Sequence, residues 1–228
     1  MYKRTHHQTI EQILSHFNSD YLTQNNILFG GGTRIALELC EYRESVDIDF
    51  LCMNTASYKA VRTQVTNESL GELLIKPLEF RREIRIDRNA VRTFINMNGI
   101  AVKLEFVAFD DYKLQAYKNS LFNVPCIDQD SCYTTKLLAH SDRKYSDTRK
   151  DFFDLLMMYR QWGLPHKSVW QESERHYGAA PKKDLIEQLQ QVDNNIGFLK
   201  LAGKKLDIKA ALTEELLTTV KSDFLENL

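Results

Sequence analysis

No run of apolar residues in the 228-residue chain approaches the length of a bilayer crossing, which excludes a transmembrane helix. The opening residues, Met1-Tyr2-Lys3-Arg4-Thr5-His6-His7, lack an apolar signal core, so the chain reads as cytoplasmic with no membrane partner. The four cysteines, Cys40, Cys52, Cys126 and Cys132, have none of the close paired spacing of zinc sites. In a reducing compartment they read as buried thiols. Charge of one sign is not in excess either. With 30 basic against 31 acidic residues the net charge is −1, so any nucleic-acid contact is confined to a local patch. Internal repeats and low-complexity tracts are absent. The glycine cluster at 30–32 has no Gly-Lys-Ser/Thr after it, so P-loop and protein-kinase readings fail.

What is present is an ordinary globular composition, 43% hydrophobic and 27% charged, in a chain able to bury a real core. Ile10, Ile13, Leu14 and Phe17 recur at helical spacing and predict an opening helix over 5–21. A short apolar strand, Ile27-Leu28-Phe29, runs into Gly30-Gly31-Gly32, and a helix follows from Thr33, placed to cap it, to about Tyr42. Residues 45–51 alternate as a strand should, with Val46, Ile48 and Phe50 expected in the core. A helix over 55–69 and strands over 73–82, 90–97 and 101–109 come next. Asn98-Gly99 is the strongest hairpin signal in the chain. After Pro125 the pattern becomes helical, over 131–142, 148–161, 166–176, 182–195 and 208–226. The expected architecture is α+β, a mixed sheet with flanking helices over 1–125. A helical C-terminal domain over 126–228 is expected to contribute to the active site.

The chemistry concentrates between Phe29 and Leu51. A strand, a glycine turn and a helix start offer backbone N–H groups to phosphate oxygens, and glycine lets the backbone approach the ligand closely. Asp47 and Asp49 stand two apart in a strand, so both carboxylates project from one face. Their mutual repulsion is relieved by a divalent cation, and Mg²⁺ held by carboxylates and substrate phosphates is the usual arrangement for nucleotidyl transfer. Glu105, alternating with Leu104 and Phe106, is a candidate third carboxylate. Lys103 beside it offers a plain ion pair instead. Further on, Lys136 and Asp151 lie on successive predicted helices and are candidates to meet. Asp151 and Asp154 are neighbours on one helix face, and simple ion pairing of a charged helical hairpin also accounts for them. Two arginine-rich stretches, Arg81 to Arg88 and Arg143 to Lys150, are candidate grips for RNA phosphates or else surface arginines paired with local acids.

Taken in order, Gly31-Gly32-Thr33, Arg43-x-Ser45-x-Asp47-x-Asp49-Phe50, Glu105, Lys136-Leu137-x-Ala139 and Lys150-Asp151-x-x-Asp154-Leu155 resemble the AbiEii/AbiGii toxin family of nucleotidyltransferases, within the DNA polymerase β-like superfamily. The resemblance implies a nucleoside triphosphate (NTP) donor and Mg²⁺, with two ions expected. It implies that Asp47, Asp49 and Glu105 bind metal, with Glu105 as a base for the attacking hydroxyl. Gly31, Gly32, Thr33, Arg43, Ser45 and Lys136 would hold the nucleotide. Asp151 would orient Lys136 or the acceptor, with Asp154 as an additional site residue. It also implies a toxin role in toxin–antitoxin or phage-defence systems, with an antitoxin partner. MenT-type relatives add nucleotides to tRNA 3′ ends, which makes RNA the implied acceptor. The chain departs from the family pattern at Arg34, where a small or apolar residue is common, and at Thr135, where an acid is common. Two other readings keep part of this picture: a nucleotidyltransferase acting on a small molecule, as antibiotic-modifying enzymes do, and a silent nucleotide-binding module.

Overall fold

In a computed structural model describing residues 2–109, 111–118 and 121–228, the chain divides into two units. One comprises residues up to Glu38 together with Ser45–Asp128, the other Leu39–Glu44 together with Gln129–Leu228. The first contains α1 (Thr5–Leu14), α2 (Ser19–Gln24), β1 (Ile27–Gly30), α3 (Gly31–Glu38), β2 (Asp47–Cys52), α4 (Thr55–Gln64), β3 (Glu79–Phe80), β4 (Arg85–Ile86), β5 (Ala90–Met97) and β6 (Ile100–Ala108). Its strands form one mixed sheet in the order β1-β2-β6-β5-β3, with β4 also paired to β5. β2 and β6 are parallel, and the other pairings are antiparallel. The β5–β6 hairpin turns on Asn98 and Gly99, both with positive φ (55° and 78°), the conformation a tight two-residue hairpin requires.

Register divides the sheet into two chemistries. Phe29, Phe50, Phe106 and Val91 are successive partners across β1, β2, β6 and β5, and all are buried. The next row carries Gly30, Asp49, Glu105 and Arg92. Because side chains alternate along a strand, the apolar row faces the core and the charged row the opposite side. Phe50 stacks on Phe106 with ring centroids 5.1 Å apart, and Phe17 packs on Phe50 at 4.8 Å.

Several boundaries differ from the sequence-based expectation. The opening helix breaks after Leu14, and Asn18 starts α2 by accepting the Tyr21 N–H at 3.1 Å. Phe17 in the break still reaches the core. Val46 is 41% exposed and not a core residue, because β2 begins one position later, outside which no ladder orients Val46 inward. The predicted helix over 55–69 stops at Gln64. The predicted strand over 73–82 is reduced to Glu79–Phe80, since Pro77 has no N–H to give a ladder. All four cysteines are free thiols, but Cys40 is exposed at a turn with φ 59°.

The second unit is helical: α5 (Gln129–Arg143), α6 (Lys150–Trp162), α7 (Lys167–Tyr177), α8 (Ala180–Gln190), α9 (Ile196–Lys205), α10 (Ala210–Glu215) and α11 (Lys221–Asn227). A single π-helical segment, Leu216–Val220, joins the last two. The sequence pattern assigned nothing to 196–207, where α9 forms. Gly197 and Gly203 weaken that helix in isolation. In the fold Gly203 is required, because a Cβ there would stand 2.8 Å from Thr213 Oγ1. Among the described residues no helix is long and apolar enough to cross a membrane.

Truncating the fully buried Phe50 to alanine is expected to cost about 3–5 kcal/mol of unfolding free energy. Urea denaturation followed by circular dichroism measures this, and a loss below about 1 kcal/mol would remove Phe50 from the centre of the core.

Candidate active site

The chain leaves β1 through Gly31 at φ 69°, a left-handed conformation that favours glycine. A Cβ at Gly31 would collide with the Asp49 carboxylate. That carboxylate therefore lies against the first backbone atoms of α3, where unpaired N–H groups and the helix dipole favour anions. Asp47, two residues earlier on β2, projects from the same face. Both acids are half-buried. Asp47's carboxylate has no hydrogen-bond or ion-pair partner among the described residues.

Thr33 is the third residue of α3, one turn too late to be the expected cap. Its buried hydroxyl donates to the Asp47 carbonyl oxygen. With that proton committed, the Ser45 hydroxyl donates to Thr33 Oγ1 at 2.8 Å. The Ser45 N–H in turn donates to Nε2 of the buried His7 at 3.1 Å. These contacts clamp the entry to β2 and so the backbone that carries Asp47. His7 had no signal in the sequence, since it lies 38 positions from its partner.

Arg34, where the chain departs from the family pattern, also has a structural task. It is fully buried, donates from Nε to the Ile127 carbonyl at 2.8 Å, and pairs with Glu38 one turn along α3.

Glu105 is the register partner of Asp49, but its carboxylate is held by Lys103 Nζ at 2.5 Å and Arg92 Nε at 2.6 Å. Arg92 also reaches Asp87. Burial alone would raise the Glu105 pKa, yet the bonds from Lys103 and Arg92 outweigh it and hold the carboxyl below its ordinary value. Among the described residues no three His, Cys, Asp or Glu side chains stand close enough together to hold a metal ion. The acids that offer a cation oxygen ligands are Asp47 and Asp49. Two carboxylates with phosphate and water oxygens filling the remaining positions match what Mg²⁺ accepts, so the pair fits that ion.

In the second unit the other candidates form one cluster. Arg43 donates from Nε and Nη2 to the two oxygens of Asp154, at 2.6 and 3.0 Å, and from Nη1 to the Glu44 carbonyl at 2.8 Å. Tyr42 donates its hydroxyl to Asp154. Lys136 Nζ sits between Asp154, at 2.6 Å, and Asp151, at 2.9 Å. Arg143 reaches Asp151 from outside at 2.9 Å. Burial opposes charge on every inner member, but the opposite charges win. Arg43 and Lys136 together hold Asp154 below the usual carboxylate range, and Lys136 and Arg143 do the same for Asp151. The two carboxylates keep Lys136 protonated well into the alkaline range. Arg43 and Lys136, expected to hold the nucleotide, are placed together in this cluster. Arg43 is 2% exposed and Lys136 5%, and both are already engaged by carboxylates.

The arginines at 81, 82, 85 and 88 are exposed, and Arg82 lies 4.3 Å over the Phe94 ring.

Comparison with known proteins bears on family and fold. A family model described as "Nucleotidyl transferase AbiEii toxin, Type IV TA system" matches residues 12–221. The solved structure of JHP933 from Helicobacter pylori is similar, with a TM-score of 0.60 at 14% identity, covering 100% of this chain and 95% of the other. So is an H. pylori protein described as a nucleotidyltransferase, with a TM-score of 0.59 at 16% identity, covering 98% and 94%. At these identities the likeness is one of fold. No curated protein sequence matches.

Two outcomes follow from the site's physics. Alanine at Gly31 is expected to cost about 1–2 kcal/mol for its left-handed backbone and to displace Asp49. Denaturant unfolding of Gly31→Ala checks this, and a neutral or stabilising effect would contradict it. For Asp151 and Asp154 the folded pKa is depressed, so their stabilisation is present above about pH 4 and lost as pH falls below it. Asp154→Asn strands Arg43 and Lys136, costing about 3–5 kcal/mol at neutral pH, and it should flatten the acid limb. Unfolding free energies at neutral and acid pH test both parts, and an unchanged acid limb in the variant would contradict the assignment.

Proposed function

The chain belongs to the AbiEii nucleotidyltransferase toxin family, and from that premise we propose that it moves a nucleoside monophosphate from an NTP onto a hydroxyl of an RNA acceptor. The observation that carries this reading is the Asp47–Asp49 pair. The acids share one strand face, the Asp47 carboxylate has no hydrogen-bond or ion-pair partner among the described residues, and Asp49 packs on the glycine start of α3.

Asp47 and Asp49 are the proposed ligands of Mg²⁺. When bound, the ion would neutralise triphosphate charge and lower the pKa of the attacking hydroxyl. The chain's own residues do the rest. Backbone amides at Gly31 and Gly32 face the triphosphate oxygens, where the missing Cβ permits close approach. Thr33, Ser45 and His7 keep the start of β2 from shifting, so Asp47 is held in place before substrate arrives. The acceptor hydroxyl gives its proton to solvent water as its oxygen bonds to the α-phosphorus, the bond from that phosphorus to the bridging oxygen of the β-phosphate breaks, and pyrophosphate leaves.

We assign Glu105 a positioning role. Bound by Lys103 and Arg92 it is a poor proton acceptor, and it keeps two cations beside Asp49. Arg43, Lys136, Asp151 and Asp154 are assigned to holding Tyr42–Glu44, α5 and α6 together within the second unit. Because the family is one of type IV toxin–antitoxin systems, an antitoxin is the expected protein partner.

The test incubates the purified chain with Mg²⁺, each α-labelled NTP in turn and total tRNA, beside Asp47→Asn. Label should reach RNA with the wild-type chain and fall by about 10²–10³ in the variant and on adding a chelator. Undiminished transfer by Asp47→Asn would overturn the site. Label appearing only on a small acceptor would overturn the RNA assignment.

A further inference from the structure

Outside the sites described, the second unit carries a guanidinium in an unusual setting. Arg149 precedes α6 with φ 50°, a left-handed conformation uncommon for a residue with a Cβ. Its Nε and Nη1 are buried, and neither has a hydrogen-bond partner among the described residues. Two aromatic rings flank the group instead, Phe198 of α9 at 5.2 Å and Tyr145 at 5.6 Å. Burial works against its charge, and Asp147 acts on it only through space. A guanidinium left without acceptors is costly, and an anion arriving from outside would relieve that cost.

The rings are as exposed as the guanidinium is confined. Tyr145 is 72% exposed and Phe198 41%, large apolar groups that the fold leaves uncovered. Lys144 holds its ammonium 5.2 Å from the Tyr145 ring, but Asp184 and Glu187 bond it and offset its charge, so Arg149 is the cation of this patch that has no carboxylate bonded to it among the described residues. Cationic groups interleaved with exposed aromatic faces are how proteins take single-stranded nucleic acid. Phosphates meet the cations, and bases, each with a π-face, stack on the rings. A carboxylate ligand would satisfy Arg149 but leave both rings without a purpose.

We propose that Arg149, Tyr145 and Phe198 form a platform for single-stranded RNA, with a backbone phosphate at Arg149 and an unpaired base on an aromatic face. The platform rests on the reading of RNA as the acceptor and gives that acceptor a place and a form. It selects an unpaired stretch, since a base inside a duplex has no free face to stack.

Fluorescence anisotropy of a labelled, mixed-sequence single-stranded RNA of about a dozen nucleotides, titrated with the full chain in the absence of NTP, tests it. Tyr145→Ala should weaken binding by roughly tenfold or more, while Tyr145→Trp retains it. Arg149→Met keeps the aliphatic stem between the rings and removes the charge. It should reduce the slope of log affinity against log salt by about 0.7, the share of one phosphate on a single strand. Equal affinity and equal salt slope in all variants would overturn the platform, as would duplex RNA or free NTP competing as well as single strands. Asp47-dependent label transfer measured on the same preparations separates the two claims. Transfer without single-stranded RNA binding removes the platform and leaves the nucleotidyltransferase chemistry standing. Binding by the platform without transfer to RNA removes the acceptor reading.

Discussion

The parallel pairing of β2 with β6, in register from Asp47 opposite Lys103 to Cys52 opposite Ala108, is the constraint on which the candidate site depends. Alternation along the two strands sends Ile48, Phe50, Leu104 and Phe106 into the core and leaves Asp47, Asp49, Lys103 and Glu105 on the other face. A slip of one residue would bury the carboxylates and expose the phenyl rings, so hydrophobic burial itself enforces the position of the acids. The same register sets Gly30 beside Asp49, and the turn that follows, through Gly31, leaves room for that carboxylate. Core and chemistry are two faces of one ladder.

The acidic residues fall into two physical groups. Asp151 and Asp154 are buried and matched by Lys136 and Arg43, two negative charges against two positive, with Arg143 adding a further cation from solvent. Such a set stabilises mainly by being complete, because removal of one member leaves a buried charge uncompensated. The Asp47 side chain is half-buried and its carboxylate has no partner among the described residues, which is the state expected of a ligand and unfavourable for a structural ion pair. Glu105 lies between the groups: next to Asp49 in register, yet bound to two cations. On the proposed reading the chemistry falls to Asp47 and Asp49, and the other acids hold the fold.

The features legible in the sequence were those set by local pattern. The Asp-Ile-Asp alternation gave both the strand and the shared face of its acids, and Asn98-Gly99 gave the hairpin, because each depends on neighbours alone. The partners of those residues were not legible. Arg43 meets Asp154 across 111 positions, Arg92 meets Glu105 only once β5 and β6 are paired, and His7 meets Ser45 from another element. Thr33 read as a helix cap because its residue type suits one; the helix begins two residues earlier, at Gly31. Helix α9 escaped because Gly197 and Gly203 argue against a helix locally, while contact with Thr213 requires a small residue at 203. The orphaned guanidinium of Arg149 was hidden for the same reason, since its surroundings come from Phe198 as well as from Tyr145.

The central claim is that Asp47 and Asp49 together hold a divalent cation alongside the nucleotide, and Mn²⁺ titration followed by electron paramagnetic resonance tests it most directly. With a non-hydrolysable NTP present, the wild-type chain should remove about one Mn²⁺ per chain from solution, and the Asp47→Asn/Asp49→Asn chain should remove no more than the nucleotide does alone. Equal Mn²⁺ uptake by the two proteins would contradict the account and move the metal, and the reaction with it, to another part of the fold.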